Sequence, residues 1–238
     1  MIVAIGASVP ALAAAKAAAP TVPMVFATGS DAFEVGLVQS PNRPDGNVAG
    51  TSVAAAGLAS RRLEMLLELV QRRNPIGYLD NPLSPEVFEA NVADLTATAR
   101  DKGRDLVVFD AATEHEVKTA FTNMALRGVR ALIVSPDPFL TMRQEQIIAL
   151  AELSALPTIY ATRGAVMLGG LMSYGVPTND IYRVAGIYAG RILNGATPAE
   201  SPVALSTRSQ LVINNKTAKA LRIALPRRLQ IRADEIID

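Results

Sequence analysis

The chain has 238 residues, half of them apolar, and its 23 basic and 22 acidic side chains leave a net charge of +1; it can bury one large core or two modest ones, so length does not choose between one domain and two. No run of Lys and Arg marks a nucleic-acid or anionic-membrane surface. The absence of cysteine excludes disulfides, thiolate metal sites and cysteine nucleophiles, and the single histidine, His115, excludes multi-imidazole metal centres and is the one residue on which a Ser-His-Asp triad could be built.

Met1 to Ala19 is apolar and Ala-rich but does not read as an export signal: no positive segment precedes it, Pro10 interrupts it, and Lys16 falls where cleavage would occur. It reads instead as a buried strand, a Gly-Ala-Ser loop and a helix. No apolar run approaches the ~18 to 20 residues that span a bilayer. Short runs rich in Val, Ile and Leu then alternate with amphipathic stretches, the pattern of βα units around parallel sheets covered on both faces. The predicted strands are Ile2 to Ile5, Pro23 to Ala27, Asn47 to Gly50, Ile76 to Asp80, Asp105 to Phe109, Ala131 to Ser135, Pro157 to Ala161 and Gly170 to Tyr174, with a last one at Leu211 to Ile213.

Between them, Leu63, Leu66, Leu67 and Val70 fall at helical spacing and mark a core-facing side. Ser84 and Pro85 open the next helix, which buries Phe88, Val92 and Leu95 and stops at Gly103. Thr113 and Glu116 form a capping box for a helix with Val117, Ala120, Phe121 and Met124 inside and Gly128 as its stop; His115 sits exposed in its first turn. A helix over about Asn179 to Leu193 follows the last of the alternating strands, with Ile181, Ala185, Tyr188 and Ile192 on one face. Val22-Pro-Met-Val-Phe-Ala-Thr28 is echoed by Leu156-Pro-Thr-Ile-Tyr-Ala-Thr162, which points to two copies of one βα unit and hence to two similar lobes. A boundary is expected near Arg73-Asn74-Pro75, where a long helix gives way to a strand.

Four segments, Asn42 to Gly50, Gly169 to Gly175, Ala185 to Gly195 and Leu211 to Leu221, together resemble the substrate-binding proteins of ABC transporters related to tryptophan and tyrosine uptake, from about Val3 to Arg232-Ala-Asp-Glu. The resemblance implies a type I periplasmic-binding-protein fold, two doubly wound parallel-sheet lobes joined by hinge crossovers that close on a ligand. The expected division is 1–73 with 176–203 for the first lobe and 74–175 with 204–238 for the second. Such proteins begin with an export signal and two further βα units, so the first lobe is expected to be incomplete, with an open strand edge. A misplaced start, a shortened chain, and completion of the lobe by a partner through self-association are the alternatives. Ser30 and Ala32 stand where the family often has Gly and Pro, and Arg222 stands where Gly is usual at a helix end.

In that architecture ligands meet the loops at the carboxyl ends of strands. The candidates are Ser8, Thr28, Ser30, Asp31, Thr51 and Ser52 in the first lobe, with Asn81, Asp137, Tyr160 and Tyr174 in the second. Ser8 and the helix after it could hold a carboxylate, or Ser8 could simply cap that helix. Asp31 and Asp137 could accept from an ammonium group or serve as caps. Thr51 and Ser52 follow a strand expected to end at Gly50, where a backbone can come close. Tyr160 and Tyr174 could pack on an aromatic ligand or on the core, and Asn81 could be a turn residue.

The leading reading is solute capture for an ABC permease, outside the cytoplasm or anchored to the membrane by family resemblance, with no cofactor and no nucleic acid. The alternative is a cytoplasmic small-molecule sensor with the same fold. An enzyme would need a titratable constellation, and isolated carboxylates do not make one.

Overall fold

A computed structural model describes residues 1–6, 9–29, 31–33, 36–38, 46–70, 74–83 and 85–238, with the backbone alone at 85–88 and 90. Along the chain the elements are β1 (Ile2–Ile5), α1 (Val9–Ala18), β2 (Met24–Ala27), β3 (Val48–Val53), α2 (Leu58–Leu69), β4 (Ile76–Asp80), α3 (Pro85–Asp101), β5 (Leu106–Asp110), α4 (Glu114–Leu126) and β6 (Ala131–Val134). They continue with α5 (Pro138–Met142), α6 (Gln144–Leu153), β7 (Thr158–Tyr160), α7 (Arg163–Met167), β8 (Met172–Gly175), α8 (Thr178–Leu193), β9 (Ala204–Ser206), β10 (Gln210–Asn214), α9 (Asn215–Ala220), α10 (Arg227–Arg232) and β11 (Glu235–Ile237). No helix among the described residues is long and apolar enough to cross a membrane.

The chain forms two compact units, 1–56 with 176–208 and 57–175 with 209–238. The first is a parallel sheet in the order β1-β2-β3-β9. Ile2 and Ala4 of β1 face a core of Leu12, Met24, Phe26, Val48 and Val203, while the alternate residues Val3 and Ile5 are exposed. That is the period of two expected of a strand with one buried face. Helix α8 packs over β2 and β3.

The second unit holds a sheet in the order β11-β10-β8-β7-β6-β4-β5, parallel except where β10 runs antiparallel to β8. Helices cover both faces, so the central strands are apolar on both sides. Tyr78 and Ile133 join Leu63, Leu66 and Leu95 in one core, whereas Leu79 and Leu132 join Phe121 and Ile147 in the other.

Local signals explain most of the elements. Thr113 Oγ1 accepts from the Glu116 N–H at 3.2 Å, and the Glu116 carboxylate reaches back to the Ala112 N–H at 2.8 Å, one residue before the expected reciprocal partner. Gly103 and Gly128 take φ of +64° and +67° at the ends of α3 and α4, a backbone that favours glycine. The repeated segment carries into three dimensions as well. A Cβ on Gly50 would collide with the Phe26 carbonyl and ring, and one on Gly170 would come within 2.8 Å of the Tyr160 ring. In each copy, then, the aromatic residue lies against a glycine.

Several expectations change. The third strand extends through Val53 because β9 pairs with Thr51 to Val53, and neither β9 nor β11 was anticipated. The units part at 56/57 and 208/209, not at 73/74 and 203/204. The reasons are that α2 packs on α3 and the sheet of the second unit and that β9 hydrogen-bonds to β3 of the first. The Ser84 cap, the Arg73 boundary and the Phe88 side chain lie outside the described residues.

Candidate functional site

In the first unit the pairing of β2 with β3 brings Thr28, just past the end of β2, to Thr51 within β3. The Thr28 N–H donates to the Thr51 carbonyl at 3.1 Å, and both residues are buried. Thr51 and Ser52 therefore lie within β3, opposite Ala204 and Leu205 of β9, and not in a loop after it. Asp31 Oδ1 accepts from the Phe33 N–H at 2.9 Å, the turn-capping geometry natural to an Asp followed by a bend. Ser8 and Ser30 lie outside the described residues.

In the second unit Asn81 and Asp137, from the ends of the adjacent strands β4 and β6, meet directly, with Asn81 Nδ2 donating to Asp137 Oδ1 at 3.2 Å. The same Asp137 oxygen accepts from the Phe139 and Leu140 N–H groups at 2.8 and 3.2 Å and so caps α5, while Asn81 Oδ1 accepts from the Leu83 N–H at 3.1 Å. Tyr160 and Tyr174 do not share a face. Tyr160 belongs to the core with Leu132 and Phe121, where burial raises its hydroxyl pKa well above the usual range, and Tyr174 belongs to the opposite core. The Tyr174 hydroxyl is 2.5 Å from Ser209 Oγ and accepts from Arg61 at 3.4 Å.

Sequence reasoning missed a row of buried polar groups beside these. Arg62 is 4 % exposed and donates from Nε to the Tyr174 carbonyl at 2.8 Å; burial lowers its pKa to about 10, against the opposing pull of the Tyr78 and Tyr174 phenols. Tyr78 follows on β4, and Asp80 ends that strand two residues later on the same side. Asp80 Oδ1 accepts from the Asn81 N–H at 2.8 Å. Its Oδ2 and the Tyr78 hydroxyl are both buried without a hydrogen-bond partner. Each nevertheless shifts the other's ionisation, adding to the rise that burial causes in the Tyr78 pKa and opposing the rise at Asp80. Burial raises the Asp80 pKa most, nearby Ser135 and Tyr78 hydroxyls and the Asn81 amide oppose this, and the Asp137 charge adds to the rise. The signal available in the sequence was a carboxylate closing the apolar strand Ile76 to Asp80.

A shallow depression between α4 and β5, lined by Asp110, Glu116, Thr119, Asn123 and Arg127, contains none of the expected site residues. Among the described residues no group of three or more His, Asp or Glu side chains could hold a metal ion.

The family model described as ABC transporter substrate binding protein matches residues 1–237. A tyrosine-binding protein of Clostridioides difficile is 27 % identical over 214 residues, which is 90 % of this chain but 61 % of that protein, so the chain spans less than two thirds of that relative. The crystal structure of an ABC domain in complex with L-Trp from Streptococcus pneumoniae superposes with a TM-score of 0.86 at 26 % identity, covering 100 % of this chain and 78 % of that one. A conserved domain protein from Vibrio cholerae superposes with a TM-score of 0.84 at 25 % identity, covering 98 % and 78 %.

Proposed function

Because the chain belongs to the ABC transporter substrate binding protein family and has the type I periplasmic-binding-protein fold, we propose that it captures a small molecule, an aromatic amino acid first among the candidates, for delivery to an ABC permease. The observation that carries this reading is the superposition of the whole chain on a protein crystallised with L-Trp. The sequence similarity to a tyrosine-binding protein supports the same ligand class.

The chemistry required is recognition without bond-making, carried out on the outer side of the cytoplasmic membrane. Polar groups at strand ends suit that task because strand termini present backbone and short side chains from a rigid scaffold. Thr28, which follows β2, is the strand-end candidate in one unit, with Thr51 and Ser52 beside it inside β3, and Asn81, Asp137 and their neighbours are the candidates in the other. A thermal-shift screen of the full chain against the L-amino acids tests the proposal. Ligand present at 100 times its Kd stabilises by about 2.7 kcal/mol, a rise of roughly 5 to 10 °C for a protein of this size. A screen in which no amino acid moves the transition contradicts it.

A further inference from the structure

Asp80 is the only buried carboxylate among the described residues, at 4 % exposure. One of its oxygens is committed to the Asn81 N–H, while the other is buried without a hydrogen bond of good geometry, the Tyr78 and Ser135 hydroxyls being the neutral groups that act on it. A second carboxylate, Asp137, stands close enough to influence it electrostatically and is held by the Asn81 amide at 3.2 Å. Neither acid forms an ion pair with a Lys or Arg among the described residues.

A buried carboxylate oxygen without a donor costs the fold stability. Two acids side by side make the local potential more negative still. The Tyr78 and Ser135 hydroxyls are neutral and offset this only in part; a group bringing positive charge and several N–H donors at once would offset the rest, which is the chemistry of a protonated amine. Asp137 itself fits that role less well, because one of its oxygens already serves Asn81 and two backbone N–H groups of α5.

Resting on the reading that the ligand is an amino acid, we propose that Asp80 is the ammonium-recognising residue of this chain, taking the ligand's α-amine on its free oxygen, with Asn81 as the residue that positions Asp137 beside it. The raised pKa of Asp80, due first to burial, is consistent with a carboxyl group that is destabilised until a cation arrives. In this respect the site resembles other functional positions where a locally unfavourable group is retained for binding.

Calorimetric titration of the full chain with L-tryptophan and L-tyrosine, and with indole-3-propionate and 3-(4-hydroxyphenyl)propionate, which lack the amine, tests this. The inference expects the amine-free analogues to bind about 10- to 100-fold more weakly. Asp80→Asn should lose a similar factor for the amino acids and little for the analogues, while its ligand-free melting temperature equals or exceeds that of the parent. Equal binding of amino acid and analogue by the parent overturns the inference alone. So does an Asp80→Asn protein that keeps its preference for the amine, or one that melts lower yet binds normally, the mark of a purely structural acid. No binding of any amino acid by the parent overturns the proposed function and this inference with it.

Discussion

Arg62 and Asp80 are the two charged side chains that the second unit buries almost completely, and neither has an ion-pair partner among the described residues. For Asp80 the consequence is a definite pH dependence. Its pKa is raised in the folded state, so between the usual carboxylate range and that raised value the folded chain binds more protons than the unfolded one. Its contribution to stability therefore falls as pH rises through that window. Denaturant titrations of the parent and Asp80→Asn should show Asn gaining on Asp as pH increases, with the gap narrowing toward acid; a gap independent of pH contradicts the assignment. Tyr174→Phe removes a hydroxyl engaged by Ser209 and Arg61, and should destabilise the second unit by about 1 kcal/mol in urea. Little of this buried row could be read from the sequence. A carboxylate closing Ile-Gly-Tyr-Leu-Asp looks like a solvated strand end, and the residues that act on it from the neighbouring segment, Ser135 and Asp137 just after β6, come from more than fifty positions away in sequence. The Asp137 cap, by contrast, was legible because Asp-Pro before an apolar run is a local signal.

Elements with local causes were the legible ones. Helix α4 follows from its capping box, its apolar spacing and its glycine stop, and β4 begins and ends at the expected residues. Strand β9 is three residues long, and only its pairing with β3 makes it a strand. Strand β11 likewise exists because β10 is beside it. Two positions show what backbone geometry demands. Gly50 in β3 leaves no room for a Cβ against the Phe26 carbonyl, so Gly50→Ala should cost about 1 to 3 kcal/mol by overpacking, measured by urea denaturation. Arg222, just beyond α9, holds φ of +56°, a left-handed conformation that is costly for a residue with a Cβ. Arg222→Gly should therefore stabilise by about 1 kcal/mol, read as a higher urea midpoint; an unchanged or lower midpoint would contradict the strain argument.

At the scale of the whole molecule, the alternation of apolar runs and amphipathic helices was enough to anticipate parallel sheets wrapped by helices, and the four resemblance segments were enough to anticipate the family. The assignment of α2 and β9 to units was not legible, because a helix carries no mark of which sheet it will cover. The proposed site has the same limit: Thr28 and Thr51 meet, as do Asn81 and Asp137, whereas Tyr160 and Tyr174, each a candidate for packing on an aromatic ligand or on the core, lie in the two different cores of the second unit. Capture of an amino acid is the central proposal for this protein. Isothermal titration of the full chain with the L-amino acids measures it directly, and saturable binding of one ligand per chain is expected for at least one of them, with aromatic side chains favoured. Flat titrations across the whole set, from a protein that melts cooperatively, would contradict it.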